Sequence, residues 1–120
     1  MSLLSTRAGR DEIPPGTLEI LILTTLSAGP PKHGFQIAES ILAVSEEVLQ
    51  VEEGSLYPAL QRLLLKGWIK GDWGKTEENR RARFYRLTPE GRKELARELT
   101  RYRRVSRAIA RVLGTAWETI

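Results

Sequence analysis

Cysteine is absent from this chain, histidine and methionine occur once each, and aromatic side chains make up only 7% of its 120 residues. Without cysteine there is no disulfide framework, no thiolate metal site and no thiol redox sensor, and a reducing cytoplasm is a permitted place of action. The lone His33 and the scattered carboxylates, Asp11 and Asp72 among them, show no ligand spacing, so no metal or other cofactor is expected. The expected role of His33 is a hydrogen bond at a helix start. Long apolar runs are missing too. The stretch Leu18 to Leu26 falls short of the ~20 residues that span a membrane, and Met1 to Arg10 has no apolar core of a signal peptide. The expectation is a soluble protein of the cell interior. No nucleophile elbow, phosphate-binding glycine loop or acid-base constellation is present, and the glycines fall at helix stops and turns, which argues against an enzyme.

What the chain does have is unevenly placed cationic charge. Twelve of its nineteen Lys and Arg fall between Arg80 and Arg111, against only Glu90, Glu94 and Glu98 there. That segment carries a surplus of nine positive charges. Since the whole chain is at +4, the remainder is net acidic by five. Clustered arginine gains affinity for a polyanion by releasing phosphate counterions. A solvated face with interspersed glutamates is the alternative for the part beyond Arg97.

The length suits one domain with a modest core, to which a dimer interface would add burial. A flexible polar arm with little order of its own ends at Pro14-Pro15-Gly16-Thr17, and Leu18, Leu21, Ile22 and Leu26 then follow helical spacing until Ala28-Gly29-Pro30-Pro31. His33-Gly34-Phe35-Gln36-Ile37 opens a second helix, with Phe35, Ile37, Ile41, Leu42 and Val44 read as packing residues. A third helix is expected after Glu52-Glu53-Gly54, with Ser55 as N-cap, Pro58 in the first turn, and Lys66-Gly67 at its stop. Leu56, Leu60, Leu63 and Leu64 share one side. Ser55, Pro58, Ala59, Gln61, Arg62 and Lys66 are left toward the other, small near the start and basic near the end.

Trp68, Ile69, Lys70, Asp72 and Trp73 form a β candidate, and Arg83-Phe84-Tyr85-Arg86-Leu87 its return. The polar run from Gly74 to Arg81 lies between them as the tip of a twisted hairpin. Trp68 and Trp73 are expected in core and hinge packing. Thr88-Pro89 caps a last helix running to about Trp117, whose Leu95, Leu99, Tyr102, Val105, Ile109, Val112 and Leu113 draw one apolar stripe. The stripe either packs on its own domain or pairs with a second subunit; the length of the helix and its place at the end of the chain favour pairing. Trp117 is an interface aromatic or lines a ligand cavity.

The ordered set Gly16-Thr-Leu-Glu-Ile-Leu-Ile-Leu, His33-Gly-Phe-Gln-Ile, Gly54-Ser-Leu-Tyr-Pro-Ala-Leu-Gln-Arg-Leu, Gly67-Trp-Ile and Arg83-Phe-Tyr-Arg-Leu-Thr-Pro-Glu-Gly resembles the PadR-type transcriptional regulators of the short class with one C-terminal helix. It covers residues 16 to about 95. Phe35 stands where such proteins more often have tyrosine, and Leu64-Leu65 where a glutamate is more usual.

The resemblance implies a mainly α fold with a small antiparallel β-hairpin: a winged helix-turn-helix over residues 14–88, an N-terminal arm over 1–13 and a dimerisation helix over 89–120. It implies a homodimer that binds double-stranded DNA at a pseudo-palindromic operator, usually as a repressor. Expected DNA contacts are Ser55, Tyr57, Pro58, Gln61, Arg62 and Lys66 of the third helix and Arg80, Arg81 and Arg83 of the wing. Arg and Gln suit bidentate reading of guanine and adenine, small residues permit close approach, and Tyr57 either reaches a phosphate or packs against the wing. No residue supports binding of an effector. A winged-helix protein-interaction module is the competing reading.

Overall fold

Leucine and isoleucine at helical spacing need a shared interior, and three short helices, a hairpin and the start of a long helix supply it. The computed structural model describes residues 11–14 and 16–114. In order, the elements are β1 (Asp11–Glu12), α1 (Leu18–Leu26), α2 (Gly34–Val44), β2 (Leu49–Gln50), α3 (Glu53–Leu65), β3 (Ile69–Lys75), β4 (Arg81–Leu87) and α4 (Pro89–Leu113). The core joins Ile22, Leu23 and Leu26 of α1, Ile37 and Ile41 of α2, Leu56, Ala59, Leu60 and Leu63 of α3, Ile69, Tyr85 and Leu87 of the hairpin, and Leu95 of α4.

Several sequence expectations need correction. Asp11 and Glu12, expected in an unordered arm, pair in parallel with Leu49 and Gln50; residues 1–10 lie outside the described residues. Phe35 and Val44, expected to pack, are 66% and 81% exposed. Phe35 falls on the face of α2 opposite Ile37, and Val44 closes the helix beyond the reach of the core.

The third helix starts earlier than expected. Glu52 is extended and serves as N-cap through its backbone, its carbonyl accepting from the Ser55 and Leu56 amides at 3.0 and 2.9 Å. Ser55 is therefore inside the helix and caps nothing. Pro58 moves from the first turn to the second, where it has no amide to give to the Gly54 carbonyl. Ala59, expected on the outer side, is fully buried.

β3 and β4 pair antiparallel from Ile69↔Leu87 to Lys75↔Arg81, so the hairpin is longer than its apolar residues indicated. Thr76 closes the tip: its amide donates to the Arg80 carbonyl at 2.8 Å and its hydroxyl accepts from the Arg80 amide at 3.1 Å. On the other edge of β4, Lys32 and Tyr85 exchange backbone bonds of 3.1 and 2.8 Å. The wing is thereby fastened to the residue that precedes the α2 cap.

The segment Leu87-Thr-Pro-Glu-Gly91 has a structural cause. The Thr88 hydroxyl donates to the Gly67 carbonyl at 2.7 Å and accepts from the Gly91 amide at 3.0 Å, so one side chain caps α4 and ties it to the turn after α3. A Cβ on Gly91 would stand 2.0 Å from the Trp68 carbonyl oxygen; only glycine allows α4 to start this close. The helix ends at Leu113 with Gly114 beyond it, earlier than Trp117, which lies outside the described residues.

Candidate nucleic-acid interface

Helical periodicity sorts the exposed side chains of α3 into three tracks. Gly54, Pro58, Gln61 and Leu65 run along the outward ridge, opposite the buried Leu56, Ala59, Leu60 and Leu63. Gln61 is the ridge's hydrogen-bonding side chain, and Leu65 is 82% exposed. Ser55, Arg62 and Lys66 form the shoulder on the α1 side. Tyr57 forms the shoulder on the α2 and wing side.

The α1 shoulder is not free cationic charge. Glu19 of α1 accepts from Arg62 Nε at 2.7 Å and lies 3.5 Å from Lys66 Nζ, while the Lys66 ammonium also stands over the Trp68 ring at 4.7 Å. The sequence placed both cations on a basic helix end. One carboxylate, forty-three residues from Arg62 in the chain, offsets them.

On the other shoulder, Tyr57 packs across Gly34. A Cβ at Gly34 would stand 2.9 Å from the Tyr57 hydroxyl and 3.1 Å from its ring, so the glycine is what allows the Tyr57 ring to lie against the start of α2. Tyr57 nonetheless remains 48% exposed. It borders a cleft of about 400 Å³ bounded by His33, Gly34 and Phe35 at the α2 start and by Trp73, Arg81, Ala82, Arg83 and Tyr85 of the wing. No carboxylate lines it. His33 performs its expected task in a capping box: Nδ1 accepts from the Gln36 amide at 3.4 Å, and Gln36 Oε1 accepts from the His33 amide at 3.0 Å. The positive end of the α2 dipole, two guanidinium groups and two phenols therefore meet in one hollow.

The wing side chains divide by strand register. Trp73 faces the same way as Arg81 and Arg83. The Arg81 guanidinium lies 4.4 Å from the Trp73 ring centre, and Trp73, expected in packing, is 61% exposed. Arg83 lies across Gly71, where a Cβ would come within 2.5 Å of its Nε, and that nitrogen is buried without a hydrogen-bond partner among the described residues. Burial pushes the Tyr85 phenol above its ordinary 10.0; Arg83 opposes the shift and Tyr57 adds to it. Arg80 is exposed at the tip. Sequence reasoning missed Phe35, Trp73, Gly34 and Glu19; only the glycine, in a His-Gly pair opening a helix, carried a signal.

The apolar stripe of α4 divides in two. Leu95 is buried in the core of its own chain and Leu99 packs against it, so these two are not purely intersubunit residues. Tyr102, Val105, Ile109, Val112 and Leu113 are 41 to 86% exposed on the part that continues past the domain. Among the described residues no group of His, Cys, Asp and Glu could hold a metal ion, and no helix is long and apolar enough to cross a membrane.

Three helices with the third presenting an exposed ridge, and a two-stranded hairpin beside it, define a winged helix-turn-helix protein. Residues 22–97 match the PadR-like family of transcriptional regulators, and the chain belongs to that family. A transcriptional regulator from Clostridium thermocellum superposes with a TM-score of 0.73 at 29% identity, over 80% of this chain and 92% of that one. A PadR family transcription regulator from Clostridium difficile does so with a TM-score of 0.69 at 29% identity, over 82% of this chain and all of that one. An uncharacterised protein of transposon Tn4556 from Streptomyces fradiae is 36% identical over 101 residues, which are 84% of this chain but only a quarter of that protein. Membership makes the chain a DNA-binding transcriptional regulator and not an enzyme.

Proposed function

We propose that this regulator acts in the cytoplasm as a homodimeric repressor, placing α3 of each subunit in the major groove of a pseudo-palindromic operator and its wing against the flanking backbone or minor groove. The observation that carries this reading is the juxtaposition of an α3 ridge free of acidic residues from Gly54 to Lys66 with a cleft lined by Arg81 and Arg83 and no carboxylate. The ridge reads bases through Gln61, with Pro58 and Leu65 as apolar contacts for thymine methyl groups and Ser55 at the edge. A backbone phosphate occupies the cleft against Tyr57, Arg83 and the α2 start, which fixes the register of the ridge on the duplex. Arg80 and Arg81 extend the backbone contact along the wing. Arg62 and Lys66 join only if the phosphate draws them from Glu19.

Pairing rests on the exposed half of the α4 stripe. Tyr102, Val105, Ile109 and Val112 follow one another in steps of three and four, with Leu113 four beyond Ile109, the spacing of a seam between two helices. Binding to duplex DNA across a salt series tests the reading. Replacing Arg80 and Arg81 by Ala is expected to weaken binding to all sequences alike and to lower the salt slope by about 0.9 for each phosphate left without its arginine. No retention on heparin and no salt-dependent DNA binding would favour the protein-interaction module instead.

A further inference from the structure

We propose that the groove between α1 and α2 is a binding site for a small aliphatic monocarboxylate and that its occupation loosens the hold of the wing on DNA. The second half of this inference rests on the DNA-binding function proposed for α3 and the wing; the first does not. The groove is open along one side and offers about 390 Å³, within the range of small-molecule sites. Leu21, Ile41, Val44 and Leu49 give it apolar walls, and no aromatic ring or carboxylate lines it. A flat aromatic ligand has no stacking partner there, whereas a flexible alkyl chain meets complementary surface.

One cation lines the site. The Lys32 ammonium is within 3.2 Å of the Ala28 carbonyl and 3.5 Å of that of Pro30, and makes no salt bridge among the described residues. The hydroxyls of Thr24 and Ser40, also in the lining, make no hydrogen bond among the described residues, in contrast to Thr25, which donates to the Leu21 carbonyl at 2.7 Å. A single ammonium and free hydroxyls within apolar walls select one carboxylate on an apolar body.

The link to the wing is direct and short. Lys32 exchanges two backbone hydrogen bonds with Tyr85 of β4, and the next residue, His33, caps α2 and meets the Phe84 ring edge-on at 5.3 Å. The groove and the phosphate cleft are thus lined by consecutive residues, Lys32 and His33. A carboxylate that draws the ammonium off the Ala28 and Pro30 carbonyls frees the turn from Ala28 to Lys32, whose last residue holds the wing through its backbone.

Calorimetry on the full chain with octanoate, and with octanol as the neutral probe, tests the site. Octanoate is expected to bind, Lys32→Met and Lys32→Gln to weaken it at least tenfold while leaving octanol within twofold, and Thr24→Trp to block both. Saturating octanoate is expected to weaken DNA binding at least threefold in the wild-type chain and not in the Lys32 variants. Absent octanoate binding, binding indifferent to these substitutions, or binding confined to a monomeric variant would overturn the site. Octanoate binding with unaltered DNA affinity would overturn the coupling. A chain that binds octanoate but no DNA at all would overturn the coupling through failure of the DNA-binding function, with the site standing.

Discussion

Glu19 holds two of the cations nearest the ridge, and its removal is informative. Glu19→Gln is expected to free Arg62 and Lys66, raise affinity for DNA of any sequence, and steepen the salt slope by about 0.9 for each further phosphate they neutralise. Anisotropy titrations across a salt series measure this, and an unchanged slope places both cations away from the DNA. The pairs themselves are exposed and contribute only about 0–1 kcal/mol to folding. Gln61→Ala is expected to change which base is preferred at one position of each half-site, at about 1–3 kcal/mol, with little effect on non-specific binding. Tyr85 gives a pH dependence whose sign is fixed. Burial raises its folded pKa above the ordinary 10.0, so the unfolded chain ionises first as alkali is added. Its contribution to stability is complete below about pH 10 and is lost as pH rises further. Denaturant titrations should show a steeper alkaline loss for the wild-type chain than for Tyr85→Phe.

Among the elements, the joint between α3, β3 and α4 is the most tightly specified. Gly91→Ala forces a methyl into the Trp68 carbonyl and is expected to cost about 1–3 kcal/mol or more by overpacking. Thr88→Ala is expected to cost about 0.5–2 kcal/mol through the lost α4 cap, and Thr88→Ser to restore most of it. Urea melts of the three variants measure both effects. The cap at Thr88 was legible in sequence because Thr-Pro at a helix start has a local cause, whereas its bond to Gly67 and the approach of Gly91 to Trp68 join residues distant in the chain and were not. Helix existence was legible for the same reason: the 3.6-residue spacing of Leu56, Leu60 and Leu63 needs no tertiary information. The start of α3 was not. A backbone cap at Glu52 leaves no side-chain signature, whereas Ser55 carries the hydroxyl typical of an N-cap. Nor could spacing reveal that Glu19 meets Arg62, that Tyr57 lies on Gly34, or that Trp73 stacks under Arg81 in the open. Each is a meeting of elements distant in the chain or a choice of hairpin face.

At the scale of the whole molecule, α4 decides the geometry of recognition. Its 25 residues reach roughly 37 Å, and only the beginning, with Leu95 and Leu99, is used by its own domain. Replacing Val105 and Ile109 together by Asp is expected to divide a dimer into folded monomers. Carboxylates buried in the seam without partners would cost several kcal/mol, whereas in the separate chain they face water. Light scattering with circular dichroism distinguishes a folded monomer from a persistent dimer, which would move the interface elsewhere, and from an unfolded chain, which would return the stripe to its own core.

Recognition in this proposal depends on two copies of α3 reading one duplex together. Selection of bound DNA from a random-sequence library by the full chain tests it most directly. Enrichment of a two-fold symmetric motif is expected, with half-sites centred about one helical turn, ~34 Å, apart on the duplex. No enriched motif, or a single half-site with no symmetry mate, would contradict it.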